Sequence, residues 1–486
     1  MAGTKRRNSA MKWMRRVPKG TARSSWSMMT MMIMTMAMMA ESVPIKPESH
    51  PIEGYQVVAS TRGYTLAEKP VSGLCDVVKQ YAGYFNVTTA TKMYFFWFFE
   101  SRSKPATDPV ILWMTGGPGC SSAIALFREN GPCTIQDDLT TKKNPFSWNS
   151  NASILYIDQP AGTGFSYGED SDFDHNEEEV SRDMYNFLQA FFSAHKNYVK
   201  NDFFIFGESY GGHFVPATAY QVFKGMQDKR DIPLKLKGVG VGNGLTAPEI
   251  QYQYYAEYAV KNPVHPLVSK PEELAMRAAA SVCVANIQLC QSKDAFCETA
   301  FAICGLSQVS PVQMTGINLY DVRQRCETPP LCYDFSNINK FFQLPKVLNE
   351  LGTGPHLWKE CNFKVNSAFH SDWMHHFQTV FPEMLDAGVR VLIYAGEMDY
   401  ICNYLGNKAW ALRLPWSGHD AFNAEGDHEW MVGGSKAGLA RTVDGFTFLQ
   451  VYNAGHMVPL DQPANSLAML STFLAGGSFY SPSRKA

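Results

Sequence analysis

A serine within a glycine-flanked pentapeptide carries the strongest indication of chemistry in the sequence. Residues 207–211 read Gly-Glu-Ser-Tyr-Gly, after the apolar run at 203–206 and before a helical pattern of apolar residues. Glycines beside Ser209 permit the tight strand-to-helix turn that exposes a nucleophilic hydroxyl, because a side chain would clash at the bend. The pentapeptide alone also fits an ordinary serine-containing turn, so its position between strand and helix is what favours a nucleophile.

A serine hydroxyl needs a base, and the base needs a carboxylate that orients it. Downstream of Ser209, Asp399 and then His456 each follow an apolar run typical of a strand. Singly, they could be a turn-capping aspartate and a surface histidine. Together, their order and positions are those of an α/β-hydrolase triad, in which Glu397 is the alternative acid.

Short apolar runs that end in a glycine or a polar turn alternate with helical patterns. They lie at residues 110–114, 154–157, 203–206, 391–394 and 446–451. The aromatic run 94–99 predicts a further, buried strand, and apolar residues between 180 and 192 recur at helical spacing. This alternation predicts a mostly parallel α/β sheet whose ligand site lies at the carboxyl ends of its strands.

The predicted domain organisation is a core with one insertion. Residues 246–370 break the alternation of strands and helices, and six of the 11 cysteines lie between 283 and 332. We therefore interpret 246–370 as an inserted helical cap stapled by disulfides. Residues 41–245 and 371–486 form the predicted α/β-hydrolase core.

Four cysteines of the predicted cap are spaced seven residues apart: Cys283, Cys290, Cys297 and Cys304. Seven helical residues rise about 10.5 Å, which is too far for a disulfide within one helix. If residues 291–296 form a turn between two antiparallel helical arms, the outer two and the inner two cysteines can pair. A zinc site and a plain apolar stripe are the alternatives. Cys326 and Cys332 could close a small loop around two prolines.

Charge is distributed unevenly along the 486 residues. Residues 1–40 hold eight of the 43 Lys and Arg and none of the 45 Asp and Glu, and the run 28–40 is apolar and rich in methionine. We interpret 1–40 as a removed targeting segment, with a disordered basic tail as the alternative, because about 13 apolar residues are too few to span a bilayer. Stable membrane insertion is then not expected. The acidic remainder argues against nucleic acid as a partner.

A removed signal and paired cysteines together predict a protein of the secretory pathway, either secreted or delivered to a lysosome or vacuole. Asn86 and Asn151 begin Asn-X-Thr and Asn-X-Ser triplets and are candidate glycosylation sites. Such triplets also arise by chance in a chain of this length. They fit an exported surface without establishing one.

Seven sequence blocks together resemble the serine carboxypeptidase family. They begin at Trp113, Glu129, Asp158, Gly207, Gly242, Asp399 and Asn453, and include Trp-Met-Thr-Gly-Gly-Pro-Gly-Cys-Ser-Ser, Gly-Glu-Ser-Tyr-Gly-Gly-His and Asn-Ala-Gly-His-Met-Val-Pro-Leu-Asp-Gln-Pro. The resemblance extends from about residue 78 to the C-terminus. It implies an α/β-hydrolase fold, the triad of Ser209, Asp399 and His456, and release of single amino acids from the C-termini of peptides and proteins.

The resemblance also implies roles for residues around the triad. The backbone N–H groups of Gly117 and Tyr210 would form the oxyanion hole. The terminal carboxylate of the substrate would be bound by Glu129, Glu208, Thr115 and Gly116. Because a carboxylate cannot approach two ionised glutamates, at least one of the pair must be protonated. Peptidase activity favouring acid pH follows, whereas ester or amide substrates without that carboxylate would tolerate higher pH.

Two side-chain pockets are implied in the same way. The pocket for the penultimate residue is apolar and large, which implies bulky hydrophobic side chains there: Leu245, Tyr252, Tyr255, Trp373, Ile401 and Cys402. Arg128 and Met457 would line the pocket for the departing amino acid. Thr115 departs from the family's usual Asn and loses an amide donor. Arg128 replaces an often apolar residue and would favour acidic or polar C-terminal residues, unless it points outward into solvent.

The disulfides implied by the resemblance are Cys283–Cys304, Cys290–Cys297, Cys326–Cys332 and Cys120–Cys361. Cys402 is expected to be a free thiol, and a bond between Cys75 and Cys133 is left open. No metal or cofactor is expected, because the sequence has no phosphate-binding loop, dinucleotide motif or His-Glu-x-x-His motif. Monomer and homodimer are both open. The alternative functions are acyl transfer to an alcohol and, from another class, a protective or binding protein with an incidental triad.

Overall fold

A 12-stranded sheet organises the part of the chain that the computed structural model describes, namely residues 54–61, 63–229, 231–354 and 356–480. The strands are β1 (Gln56–Thr61), β2 (Tyr64–Val71), β3 (Gln80–Val87), β4 (Met93–Phe99), β5 (Val110–Met114), β6 (Cys133–Ile135), β7 (Thr141–Lys143), β8 (Ser153–Ile157), β9 (Asp202–Glu208), β10 (Lys235–Gly242), β11 (Arg390–Gly396), β12 (His428–Val432), β13 (Ser435–Val443) and β14 (Phe446–Val451). The predicted targeting segment, residues 1–40, lies outside the described residues.

The α-helices of the described residues lie between these strands and after them. They are α1 (Ala123–Arg128), α2 (Glu177–Ala194), α3 (Gly211–Asp228), α4 (Pro248–Gln251), α5 (Tyr255–Lys261), α6 (Lys270–Cys290), α7 (Cys297–Cys304), α8 (Ser310–Gln313), α9 (Ser336–Phe342), α10 (Pro345–Leu351), α11 (Phe363–Ala368), α12 (Phe381–Asp386), α13 (Tyr404–Arg413), α14 (His419–Glu425), α15 (Val458–Asp461) and α16 (Pro463–Leu474). Within the described ranges, no helix combines the length and the apolar character that crossing a membrane requires.

The strands of the large sheet lie in the order β1-β2-β3-β4-β8-β5-β9-β10-β11-β14-β13-β12. The six central strands, from β8 to β14, pair in parallel, whereas antiparallel strands extend the sheet at both edges. Every residue of β5 and β8 is buried, which is typical of parallel strands covered on both faces. The predicted α/β-hydrolase architecture is confirmed, with a parallel centre and antiparallel margins.

The predicted strands and helices form where the apolar patterns place them. The runs 391–394 and 446–451 fall in β11 and β14, and the helical pattern between 180 and 192 falls in α2. Asn176 caps α2, because its side chain accepts a hydrogen bond from the N–H of Glu179. The buried face of α2 carries the apolar residues of that pattern and packs against α3 and the sheet.

The aromatic strand β4 contributes to both faces of the sheet. Phe96 and Phe98 lie in one apolar cluster, and Trp97 and Phe99 lie in the cluster on the opposite face. This alternation is the period-two pattern of a strand whose side chains are buried on both sides. A third apolar cluster joins α5, α6 and α7 to the loop around Cys402. Helices of the predicted cap therefore share a core with a loop at the carboxyl end of β11.

All 11 cysteines lie in the described residues, and ten of them form disulfides: Cys75–Cys133, Cys120–Cys361, Cys283–Cys304, Cys290–Cys297 and Cys326–Cys332. Helices α6 and α7 are the two antiparallel arms, and the nested pairs staple them. The zinc and apolar-stripe alternatives are therefore wrong. The structure also pairs Cys75 with Cys133, which the sequence left open, and leaves Cys402 as a buried free thiol.

Candidate active site

Ser209 lies on the sharp turn between β9 and α3. Its φ of 64° is in the left-handed region, which a residue with a side chain occupies only where its surroundings hold it there. A Cβ atom at Gly207 would lie 2.4 Å from the carbonyl oxygen of Met114, and one at Gly211 would lie 3.0 Å from the same oxygen. The two glycines therefore let β5 approach the turn closely, for the reason that the sequence indicates.

His456 and Asp399 lie on loops that follow two neighbouring parallel strands, β14 and β11. Nδ1 of His456 and Oδ2 of Asp399 are 2.8 Å apart, and both side chains are buried. With Nδ1–H donating to the carboxylate, Nε2 is the ring nitrogen left to face the cavity that His456 and Ser209 both line. Glu397, the alternative acid, accepts hydrogen bonds elsewhere.

The carboxylate of Asp399 is held from three further directions. Nδ2 of Asn243, which follows β10, donates to Oδ2 over 2.8 Å. The N–H groups of Ile401 and Cys402 donate to Oδ1 and Oδ2 over 3.0 and 3.3 Å. With the bond from His456, the carboxylate accepts four hydrogen bonds. Its orientation is therefore fixed before any substrate binds.

Two buried glutamates line the same cavity. Oε2 of Glu129 and Oε2 of Glu208 are each buried without a donor among the other residues that the structure describes. Burial raises the pKa of Glu129 to about 7, and burial together with the charge of Glu129 raises the pKa of Glu208 well above its ordinary value. The interaction between the two carboxyl groups raises the pKa of Glu208, because two buried carboxylates repel each other. At acid pH the pair is neutral and can donate to an anion.

A glycine-rich turn after β5 packs directly on the Ser209 turn. A Cβ atom at Gly116 would lie 2.3 Å from the backbone nitrogen of Tyr210 and 2.9 Å from Cβ of Ser209, so a side chain does not fit there. Gly117 follows with a φ of 113°. Gly117 and Tyr210, the predicted oxyanion-hole residues, both line the cavity beside Ser209.

Thr115 also lines this cavity, and its hydroxyl is oriented by a neighbouring indole. Nε1–H of Trp113 donates to Oγ1 of Thr115 over 2.9 Å. Because the oxygen accepts that bond, the hydroxyl hydrogen remains for another acceptor. Thr115 therefore retains one donor where the usual asparagine of the pattern would present an amide.

The cavity around Ser209 and His456 has a volume of about 320 Å³. The six residues predicted for the penultimate pocket all line it: Leu245, Tyr252, Tyr255, Trp373, Ile401 and Cys402. The rings of Tyr252 and Tyr255 stack on each other with centroids 4.9 Å apart. Met457 also lines the cavity, whereas Arg128 does not and is exposed, as in the outward-pointing alternative.

Residues 71–476 match the sequence model of the family described as serine carboxypeptidase. The chain belongs to the serine carboxypeptidase family. It is 44% identical over 401 residues to serine carboxypeptidase-like 47 of Arabidopsis thaliana, which covers 82% of this chain and 78% of that protein. It is 42% identical over 419 residues to serine carboxypeptidase 3 of Hordeum vulgare, covering 85% and 81%. It is 42% identical over 411 residues to carboxypeptidase Y of Candida albicans, covering 83% and 75%.

The fold of this serine carboxypeptidase is similar to the crystal structure of Kex1, a prohormone-processing carboxypeptidase from Saccharomyces cerevisiae. The TM-score is 0.74 at 24% sequence identity, and the match covers 84% of this chain and 95% of Kex1. At that identity the comparison bears on the fold alone. It agrees with the α/β-hydrolase fold built above from the sheet and its helices.

Sequence reasoning gave no role to two residues that contact the predicted triad. Asn243 follows β10 and binds Asp399, and its position at the carboxyl end of a parallel strand could have indicated it. Tyr320, in the predicted cap, accepts the N–H of His456 at its carbonyl oxygen over 2.8 Å, and its ring packs edge-on against the imidazole. No local pattern marks Tyr320, because its partner lies more than 100 residues away along the chain.

Among the described residues, two groups of side chains bring three potential metal ligands within 4.8 Å of one another: Cys290, Cys297 and His375 in one, and Asp399, Cys402 and His456 in the other. In the first group the two sulfurs are bonded to each other and offer no thiolate. In the second, burial raises the pKa of the Cys402 thiol well above its ordinary value, and thiolate is the form that binds metals. The expectation of no metal and no cofactor stays a prediction.

The two candidate glycosylation sites differ in their surroundings. Asn86 is half-buried on β3. Asn151 is also half-buried, and its Nδ2 donates to Oγ of Ser471 over 3.0 Å. Attachment of a glycan to that nitrogen would replace this hydrogen bond. Both sites stay predictions.

Proposed function

We propose that this serine carboxypeptidase releases single amino acids from the C-termini of peptides and proteins through an acyl-enzyme on Ser209. The observation that carries the proposal is the pair of buried carboxyl groups, Glu129 and Glu208, which lines the same cavity as Ser209 and His456. A neutral carboxyl pair is a donor for a carboxylate anion. Its place beside the nucleophile suits a substrate whose scissile bond is the last peptide bond.

The chemistry follows the order of proton transfers in a serine hydrolase. His456, oriented by Asp399, takes the proton of the Ser209 hydroxyl as the oxygen attacks the last peptide carbonyl. The N–H groups of Gly117 and Tyr210 stabilise the oxyanion, a kind of interaction worth about 3 kcal/mol per donor. His456 then gives its proton to the leaving amine. Water attacks the acyl-enzyme, with His456 again as the base.

Two preferences belong to the same proposal. The stacked rings of Tyr252 and Tyr255 line the cavity together with Trp373, and this aromatic lining supports a bulky hydrophobic penultimate residue. Binding of the terminal carboxylate by Glu129, Glu208, Thr115 and Gly116 supports activity that favours acid pH. The preferred departing amino acid is left open, since the exposed Arg128 does not line the cavity.

We also propose a location and a domain organisation. Five disulfides support passage through the oxidising secretory pathway, ending in secretion or in a lysosome or vacuole. Residues 246–370 are proposed as the cap on a core formed by 41–245 and 371–486. The sheet supports that boundary, because the described residues between β10 and β11, which include the stapled helices α6 and α7, contribute no strand to it.

Acyl transfer to an alcohol is the second candidate, favoured by Thr115 at a position where the family usually has Asn. The test is amino-acid release from blocked dipeptides with Phe in the penultimate position, with free or amidated C-termini, after fluorophosphonate labelling has counted the active sites. Preferential cleavage of the free acid at low pH is expected, with Ser209→Ala inactive. Labelling without cleavage of either substrate would favour acyl transfer instead, and no labelling would favour a protective or binding protein.

A further inference from the structure

A short hairpin in the predicted cap touches both loops that carry the downstream triad residues. We define the cap hairpin as residues 316–326, in which Ile317 pairs with Arg325 in an antiparallel bridge. The carbonyl oxygen of Leu319 accepts hydrogen bonds from the N–H groups of Tyr400 and Ile401, the two residues that follow Asp399, over 3.0 and 3.1 Å. The carbonyl oxygen of Tyr320 accepts the N–H of His456 over 2.8 Å. We call the loop after β11, which carries Asp399, the carboxylate loop, and the loop after β14, which carries His456, the histidine loop. The hairpin therefore sets the spacing between these two loops.

The guanidinium of Arg323 joins the hairpin to the histidine loop. Nε and Nη2 donate hydrogen bonds to Oδ1 and Oδ2 of Asp321, which is also on the hairpin, over 2.7 and 2.8 Å. Nη1 donates to the carbonyl oxygen of Asn453 over 2.9 Å, and Nη2 also donates to Oδ2 of Asp461 over 2.9 Å. The same Oδ2 accepts the N–H of Gly455, the residue before the histidine, over 2.6 Å. One planar cation therefore holds two carboxylates and a backbone carbonyl around the histidine loop.

The histidine loop packs so closely against the hairpin that its backbone has little room to move at Gly455. A Cβ atom at Gly455 would lie 2.6 Å from the carbonyl oxygen of Tyr320 and 3.2 Å from Oδ2 of Asp461. Asp321 is almost fully buried, and Asp461 is partly buried. Without the guanidinium, two carboxylates would face each other beside Gly455 with no cation between them, and their repulsion would displace the loop.

We infer that Arg323 is a positioning residue for His456, so that the cap takes part in building the triad. Arg323 lies outside the cavity lining and acts through Asn453 and Asp461 on the backbone that carries the imidazole. Displacement of a catalytic group by about 1 Å can cost about 100-fold in rate. Substrate binding should change little, because Arg323 does not touch the cavity. The inference rests on the proposed role of His456 as the base.

The test compares Arg323→Met and Arg323→Lys with Arg325→Met. Arg325 is an exposed arginine of the same hairpin, whose Nη2 donates to the carbonyl oxygen of Thr315 over 3.4 Å. The maximal rate is measured with a blocked free-acid dipeptide. Dividing it by the concentration of active sites, titrated with a fluorophosphonate, gives kcat. For Arg323→Met we expect a loss in kcat of about 10- to 100-fold with KM within about threefold of wild type. Arg325→Met should match the wild type.

Arg323→Lys separates a positioning role from a purely structural one. A lysine keeps the charge but is a point donor that cannot hold the three acceptors in one plane, so kcat should fall by about 3- to 10-fold. If Arg323→Met lowers the melting temperature while kcat per titrated site stays at the wild-type value, the inference is wrong. If Arg323→Met does not fold, a wild-type kcat for Arg323→Lys overturns it equally. Wild-type protein that is neither labelled nor active would instead contradict the proposed function.

Discussion

The carboxyl pair gives the proposed exopeptidase a pH dependence that a single substitution can shift. Burial raises the pKa of Glu129 to about 7, and burial together with the charge of Glu129 raises the pKa of Glu208 well above its ordinary value. Below about pH 7 the pair is neutral and can donate to the terminal carboxylate of a substrate. Above it, the pair has lost a proton, so the substrate carboxylate meets a negative charge.

The size of the effect follows from that pKa. Two pH units above it, about 1% of the pair remains neutral, which corresponds to about 2.7 kcal/mol of lost binding. We therefore expect kcat/KM for a free-acid dipeptide to fall about 100-fold between pH 7 and pH 9, relative to the amidated dipeptide. In Glu129→Gln the amide cannot ionise, and Glu208 titrates alone, without the charge and the hydrogen bond of Glu129 that raise its pKa. The pH at which this ratio falls should therefore shift from that of wild type. The variant should be slower at pH 5, because an amide is a weaker donor to a carboxylate than a neutral carboxyl group.

The assay measures kcat/KM for both dipeptides, with Phe in the penultimate position, from pH 5 to pH 9 in wild type and Glu129→Gln. The ratio of free acid to amide cancels every pH effect that the two substrates share, because both need the same base. Ser209→Ala is the control for contaminating activity. A wild-type ratio that does not change with pH would refute the assignment of the pair to the substrate carboxylate. A Glu129→Gln ratio that falls in parallel with that of wild type would do the same.

Three further predictions concern the nucleophile turn, the triad carboxylate and the fold. Gly116→Ala should abolish fluorophosphonate labelling, because its Cβ would lie 2.3 Å from the backbone nitrogen of Tyr210. Gly168→Ala, whose Cβ would meet its nearest atom at 3.5 Å, is the control and should label normally. Equal labelling of both variants would contradict the packing argument. Asn243→Gly keeps a residue that accepts the positive φ at this position and removes the hydrogen bond to Asp399. It should lower kcat about 10- to 100-fold, because a hydrogen bond to a carboxylate is worth about 1.5–3 kcal/mol. An unchanged kcat would count against the role of Asn243. Burial raises the pKa of Asp158 to about 6, so the folded state binds more protons than the unfolded chain between about pH 4 and 6. The melting temperature should therefore fall by a few degrees between pH 4.5 and 7 in calorimetry, and a rise would refute the sign.

Much of the fold was predictable because its information is local. The apolar runs 391–394 and 446–451 became β11 and β14, since a parallel strand covered on both faces must be apolar at consecutive residues. The glycines around Ser209 were readable for a similar reason, because a strand-to-helix turn against a neighbouring strand excludes side chains. Helix rise and the reach of a disulfide favoured the nested cysteine pairs over a zinc site or an apolar stripe, and the family resemblance implied the same pairs.

The sequence by itself determined the order and type of these elements and the three residues proposed for the triad, since strand periodicity and turn chemistry act over a few neighbouring residues. Only the tertiary structure decided that Cys75 bonds to Cys133, that Arg128 points to solvent, and that the cap hairpin contacts the histidine loop. Those outcomes depend on contacts between residues far apart in the chain, such as Arg323 and Asn453. No local propensity encodes such a contact, because it exists only once the sheet has brought the strand ends together.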